Sequence, residues 1–64
     1  MPEAMATLPA EWLAALKQGA EETDVEVLIE VIEQIRERDA AVADVLTSLV
    51  EDFEYDEILA ALQH

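Results

Sequence analysis

The sequence predicts an all-α domain, a compact antiparallel four-helix bundle made of two αα-hairpins. Three observations predict it. Four apolar segments repeat at helical spacing, from Trp12, from Val25, from Val42 and from Ile58. No Gly or Pro stands between Ala20 and His64, and no segment alternates apolar and polar residues as a half-buried strand does. The connections between segments are short, which favours antiparallel neighbours.

The stretch Val25 to Arg38 organises the rest. Val25, Leu28, Ile32 and Ile35 form one row on a helix, and Val27, Ile29 and Val31 widen that row to an arc of roughly half the circumference. An arc this wide has to be covered on two sides, which makes this the central helix. Glu26, Glu30, Glu33 and Glu37 fall together on the opposite side.

In chain order, Met1 to Thr7 is small and weakly patterned and reads as a linker or an appended remnant; the domain proper is taken as 8–64. Leu8 and Pro9 open the first predicted helix, since Pro is favoured where its missing N–H is not needed. Glu11 complements the positive helix end. Trp12, Leu13 and Leu16 give its apolar face, with Leu8 placed to close over Trp12. Gly19 weakens the end of this helix, which either stops there or runs on through Ala20 and Glu21. Thr23 and Glu26 read as a capping box that starts the central helix, and Arg36 and Arg38 suit its negative carbonyl end. Asp39 is placed to cap the third predicted helix, Ala40 to about Asp52. Val42, Leu46, Leu49 and Phe53 form its face, Val45 and Val50 flank it, and Ala40, Ala41 and Ala43 allow close approach of a neighbour. A turn at Phe53, Glu54 and Tyr55 leads to the last helix. There Asp56 and Glu57 sit at the favoured end, and Ile58, Leu59 and Leu62 supply the face.

Composition bounds the function. The chain is 64 residues long, 53% apolar and without Cys. It is one domain, not a disordered tail, and it has neither a disulfide framework nor a thiolate metal site. Absence of Cys fits a reducing, cytoplasmic setting. The apolar segments are too short for a membrane span, and Met1 to Thr7 lacks the pattern of a signal peptide. The net charge of −13 rests against only Lys17, Arg36 and Arg38. Repulsion therefore disfavours nucleic acid and anionic membranes as partners.

No constellation carries chemistry. The Glu26, Glu30, Glu33, Glu37 row has the spacing of a carboxylate metal site but opposes the apolar arc, so it is expected to be a solvated face and not a metal site. His64 is the only His and is terminal, unsuited to phosphotransfer or general base work. The run Leu46, Thr47, Ser48, Leu49 is similar to the serine site of acyl carrier proteins, but Thr47 stands where those have Asp, and Ser48 lies mid-helix. There is no phosphate loop, no nucleophile with a base, and no cofactor motif. The chain is thus expected to be non-enzymatic.

Taken together, Leu8, Pro9, Ala10, Glu11, Trp12, Leu13, Leu16, Ala20, Asp24, Ile32 and Ile35 resemble the first half of a small helical module. That module is found at the C-terminal end of bacterial hybrid sensor histidine kinases, after a receiver domain. Leu46, Leu49, Val50, Phe53, Tyr55, Ile58, Leu59 and Leu62 resemble its second half, including the Phe-acidic-aromatic-acidic turn at Phe53 to Asp56. Thr23 departs from the module, which often has Gly before the Asp. The resemblance implies a two-component pathway whose catalytic residues lie outside this segment, and an accessory role in docking, domain arrangement or oligomerisation. The expected partner is a receiver or kinase domain of the same pathway, or a second copy of the chain as a homodimer; the alternatives are a structural homodimerisation domain and a small acidic carrier or regulator. The expected interaction residues are Val27 and Val31 at the margin of the arc, Glu30 on their rim, and the aromatics Trp12 and Tyr55.

Overall fold

The computed structural model describes residues 2–63 and is helical throughout, with no strand among the described residues. Met1 and the terminal His64 lie outside the described residues. The described residues form five helices: α1 (Glu3–Ala6), α2 (Ala10–Glu22), α3 (Val25–Arg38), α4 (Ala40–Glu51) and α5 (Tyr55–Gln63). The central helix has the predicted limits. It packs against α2 on one side and α4 on the other, and α5 closes the circuit by packing on both α2 and α4. Leu28, Ile32 and Ile35 of the predicted row are buried, together with Leu16, Ala20, Leu46, Val50 and Ile58 from the surrounding helices.

The fifth helix is the short α1, in the stretch read from sequence as a linker. The Pro2 carbonyl accepts from the Met5 and Ala6 N–H groups, and the Thr7 hydroxyl donates to the Ala4 carbonyl at 2.8 Å. Arg38 then donates to the Thr7 carbonyl at 3.2 Å, tying this segment to the end of α3. Met5 is only 5% exposed and belongs to the core. One apolar residue among small ones has no periodicity, so sequence patterning passes over it.

The turn between α2 and α3 differs from the capping box expected at Thr23. Thr23 belongs to the end of α2, in the left-handed conformation with φ 56° and ψ 38°. The N-cap of α3 is Asp24, whose carboxylate accepts from the Val27 N–H at 3.3 Å. The reason lies in the carbonyl of Gly19, which accepts from the N–H groups of both Thr23 and Asp24. Closing that turn forces a positive φ at position 23, and the cap passes one residue on. A β-branched residue is strained there, by about 1–2 kcal/mol. Opposite outcomes are therefore expected at adjacent positions. Thr23→Gly raises the melting midpoint by about 3–6 °C, for a gain of about 0.5–1 kcal/mol. Asp24→Ala lowers stability by about 1 kcal/mol. Thermal melts of the two variants decide it, and a loss at Thr23→Gly would restore the capping role to Thr23.

Asp39 caps as expected, accepting from the Val42 N–H at 3.2 Å. Within α4 the buried face is Ala43, Leu46 and Val50, rotated from the predicted Val42, Leu46, Leu49, Phe53 row. Ala43 has no exposed surface, so the small side chain lies where the neighbours come closest. The rotation leaves Val45 61% exposed. Phe53 is not on the helix at all. It lies beyond the end of α4 in the left-handed conformation, φ 57°. Its N–H donates to the Val50 carbonyl and the Glu54 N–H to the Leu49 carbonyl, a paired closure that satisfies the last carbonyls of the helix.

Gly19 does not end α2, which continues to Glu22. It is buried, and a Cβ built on it would lie 2.9 Å from both Cγ and Cδ2 of Leu28. The glycine sets the distance at which α2 and α3 pack.

Candidate interaction surface

Four of the five residues expected to form an interaction surface meet in one place. A groove of about 350 Å³ runs between α2 and α3, lined by Glu11, Trp12 and Ala15 on one side and Val27, Glu30, Val31 and Gln34 on the other. Val27, Glu30 and Val31 share a face of α3 by helical spacing, and the packing of α2 brings Trp12 to them. Val31 is 3% exposed, so it forms the floor and does not present an open apolar patch. The pairing of α2 with α3 covers it, which the arc alone does not specify. Val27 and Trp12 are half-buried, while Glu11 and Glu30 are exposed. The groove therefore has an apolar floor and a carboxylate rim.

Tyr55 stands apart from this groove. It is half-buried at the start of α5 and packs against the core, with the ring of Phe53 edge-to-face at 6.3 Å and 71°. The exposed apolar side chains lie elsewhere than expected: Ile29 at 50%, Val45, and Phe53 at 76%. Val45 lies in a second groove, of about 260 Å³, with Met5, Val42 and Leu49. Sequence reasoning missed this groove because one of its walls is α1.

Between α3 and α4, Arg36 donates to Asp44 at 2.6 Å and to the Thr47 hydroxyl at 3.2 Å; Thr47 in turn donates to the Ala43 carbonyl at 2.8 Å. The hydrogen bond that Arg36 donates to Asp44 holds its guanidinium above the ordinary pKa, opposed by partial desolvation and aided by the Asp44 and Glu33 charges. The pair is exposed, so its effect is to orient α4 on α3 more than to stabilise the fold. Thr47 is one arm of this clasp. Ser48 is exposed within α4.

Glu26, Glu30, Glu33 and Glu37 are all exposed. Among the described residues no group of three or more His, Asp or Glu side chains is placed to hold a metal ion. No described helix is long and apolar enough to cross a membrane. What the surface offers is shape and negative charge.

Comparison with known proteins adds one match. The family model of the C-terminal domain of hybrid histidine kinase-response regulators covers residues 1–63. No curated protein and no solved structure matches the chain.

Proposed function

Because the chain belongs to the family of hybrid histidine kinase-response regulator C-terminal domains, we propose that it is a non-enzymatic docking module, built as two antiparallel αα-hairpins, α2–α3 and α4–α5. The observation that carries this reading is the convergence of Trp12, Val27 and Glu30 on one groove with an acidic rim. A half-buried Trp beside an apolar floor is an anchor point for a partner side chain, and rim carboxylates set orientation and encounter rate. The partner is a receiver or kinase domain of the same cytoplasmic pathway, presenting an apolar residue flanked by basic ones.

The homodimer reading has less support. It rests on an apolar arc too wide for one chain to cover, yet Leu28, Val31, Ile32 and Ile35 are buried within a single chain. Two copies each carrying a charge of −13 also repel.

Calorimetric titration of the domain against the receiver domain, and separately against the kinase core, of its own signalling protein tests the proposal. Glu11 and Glu30 are exposed, so the pair Glu11→Lys, Glu30→Lys leaves the fold intact. It is expected to weaken binding about tenfold and to flatten its salt dependence. Absence of binding to both domains, or binding unchanged by the double reversal, sinks the docking role at this groove.

A further inference from the structure

Phe53 combines three properties that the fold does not require together. Its backbone is left-handed, a conformation that strains any side chain and favours glycine. Its side chain is 76% exposed, so burial returns little for that strain. Its ring nevertheless lies edge-to-face with Tyr55 at 6.3 Å, and Tyr55 itself packs against the core. Glycine at this position would close α4 with less strain. The left-handed backbone closes α4 as it closes α2 at Thr23, but that closure asks nothing of the side chain, and the ring is displayed without serving the packing.

The surroundings identify what the ring meets. Glu51, Asp52, Glu54, Asp56 and Glu57 flank the two aromatics, and all five are exposed. The cationic side chains among the described residues lie elsewhere. Arg36 is engaged with Asp44 and Thr47, Arg38 with the Thr7 carbonyl, and Lys17 lines the groove with Leu59 and Leu62. Among the described residues no carboxylate cluster is placed to hold a metal ion. Carboxylates alone describe any solvated acidic surface; the exposed π-face among them selects a cation with a flat or apolar body.

We propose that the Phe53–Tyr55 pair is a second docking surface, distinct from the α2–α3 groove, and that its occupant is an arginine-bearing basic segment of a partner protein. The guanidinium stacks on the ring face while the flanking carboxylates accept its N–H groups, a combination that a lysine ammonium fills less well.

The test is a titration of the ¹⁵N-labelled domain with an acetylated, amidated peptide of alternating Arg and Ala, at about 0.15 M salt to screen diffuse attraction. Amide shifts are expected to concentrate at residues 51–57. Phe53→Gly and Phe53→Leu leave the net charge unchanged and are expected to weaken binding about threefold or more, whereas Phe53→Trp retains or tightens it. Phe53→Gly is also expected to melt no lower than the parent. Equal affinity of the Leu and Phe forms overturns the assignment of a cation to the ring. Shifts spread evenly along Glu26, Glu30, Glu33 and Glu37 overturn the site. A lower melting midpoint for Phe53→Gly shows that the ring serves the fold, which also overturns the proposal.

Discussion

Ile35→Ala is expected to remove about 3–4 kcal/mol, most of the stability that a domain of this size possesses. Ile35 has no exposed surface and lies on the face of α3 that is enclosed by the other helices. Truncation there loses the transfer energy of the removed groups and leaves a cavity that a close-packed core refills only in part. The helix carries its own control. Ile29→Ala removes the same atoms and changes helix propensity by the same amount, but Ile29 is half exposed. Its loss is expected to stay below about 1 kcal/mol. Urea unfolding of both variants separates packing from propensity, since propensity is common to the two. Equal losses would show that the arc of α3 is not the core.

Gly19→Ala is the second large effect, and its sign is the informative part. Intrinsic propensity alone gives a gain of about 1 kcal/mol for alanine within a helix. The new Cβ would stand 2.9 Å from the Leu28 Cγ, which is the branch point of a fully buried side chain and has nowhere to swing. Overpacking of this kind costs about 1–3 kcal/mol. The net expectation is a loss of about 1 kcal/mol or more, because the strain exceeds the propensity gain. A double-mutant cycle with Leu28→Ala gives the cause: the added methyl then enters vacated space, so the double variant is expected to lose less than the sum of the singles. Stabilisation by Gly19→Ala, or strict additivity, would refute close approach as the role of this glycine.

These two residues mark the limits of what the sequence shows. Ile35 is legible because three- and four-residue spacing places it with Leu28 and Ile32, and no other surface of the helix is so apolar. Gly19 is not, because a glycine that weakens a helix end and a glycine that lets two helices touch look alike until the partner helix is in place. The same holds at the turns. Asp39 stands alone before its helix and is readable as a cap. Thr23 and Asp24 are both good caps, and the choice between them falls to a carbonyl four residues upstream. The stop before Phe53 is readable from the acidic and aromatic run that follows, but the apolar spacing still counts Phe53 with the face of α4, from which the turn removes it. Within the groove, Val27, Glu30 and Val31 follow from one helix, whereas the arrival of Trp12, the burial of Val31 and the separation of Tyr55 depend on packing between helices.

Among the described residues no polar or charged side chain is buried, and no buried side-chain donor or acceptor lacks a partner. An interior made only of aliphatic groups specifies volume and not identity, because nothing inside it has a direction to satisfy. Lineages of this domain are then free to exchange Leu, Ile, Val and Met across the interior at little cost, so long as the total volume holds. Divergence can run through the inside of such a molecule almost as freely as over its surface. Exchange is expected to cost more at the seams: Gly19 where two helices touch, Asp24 and Asp39 where helices begin. Kinship among such domains is then expected to show in the order and spacing of apolar positions more than in their letters.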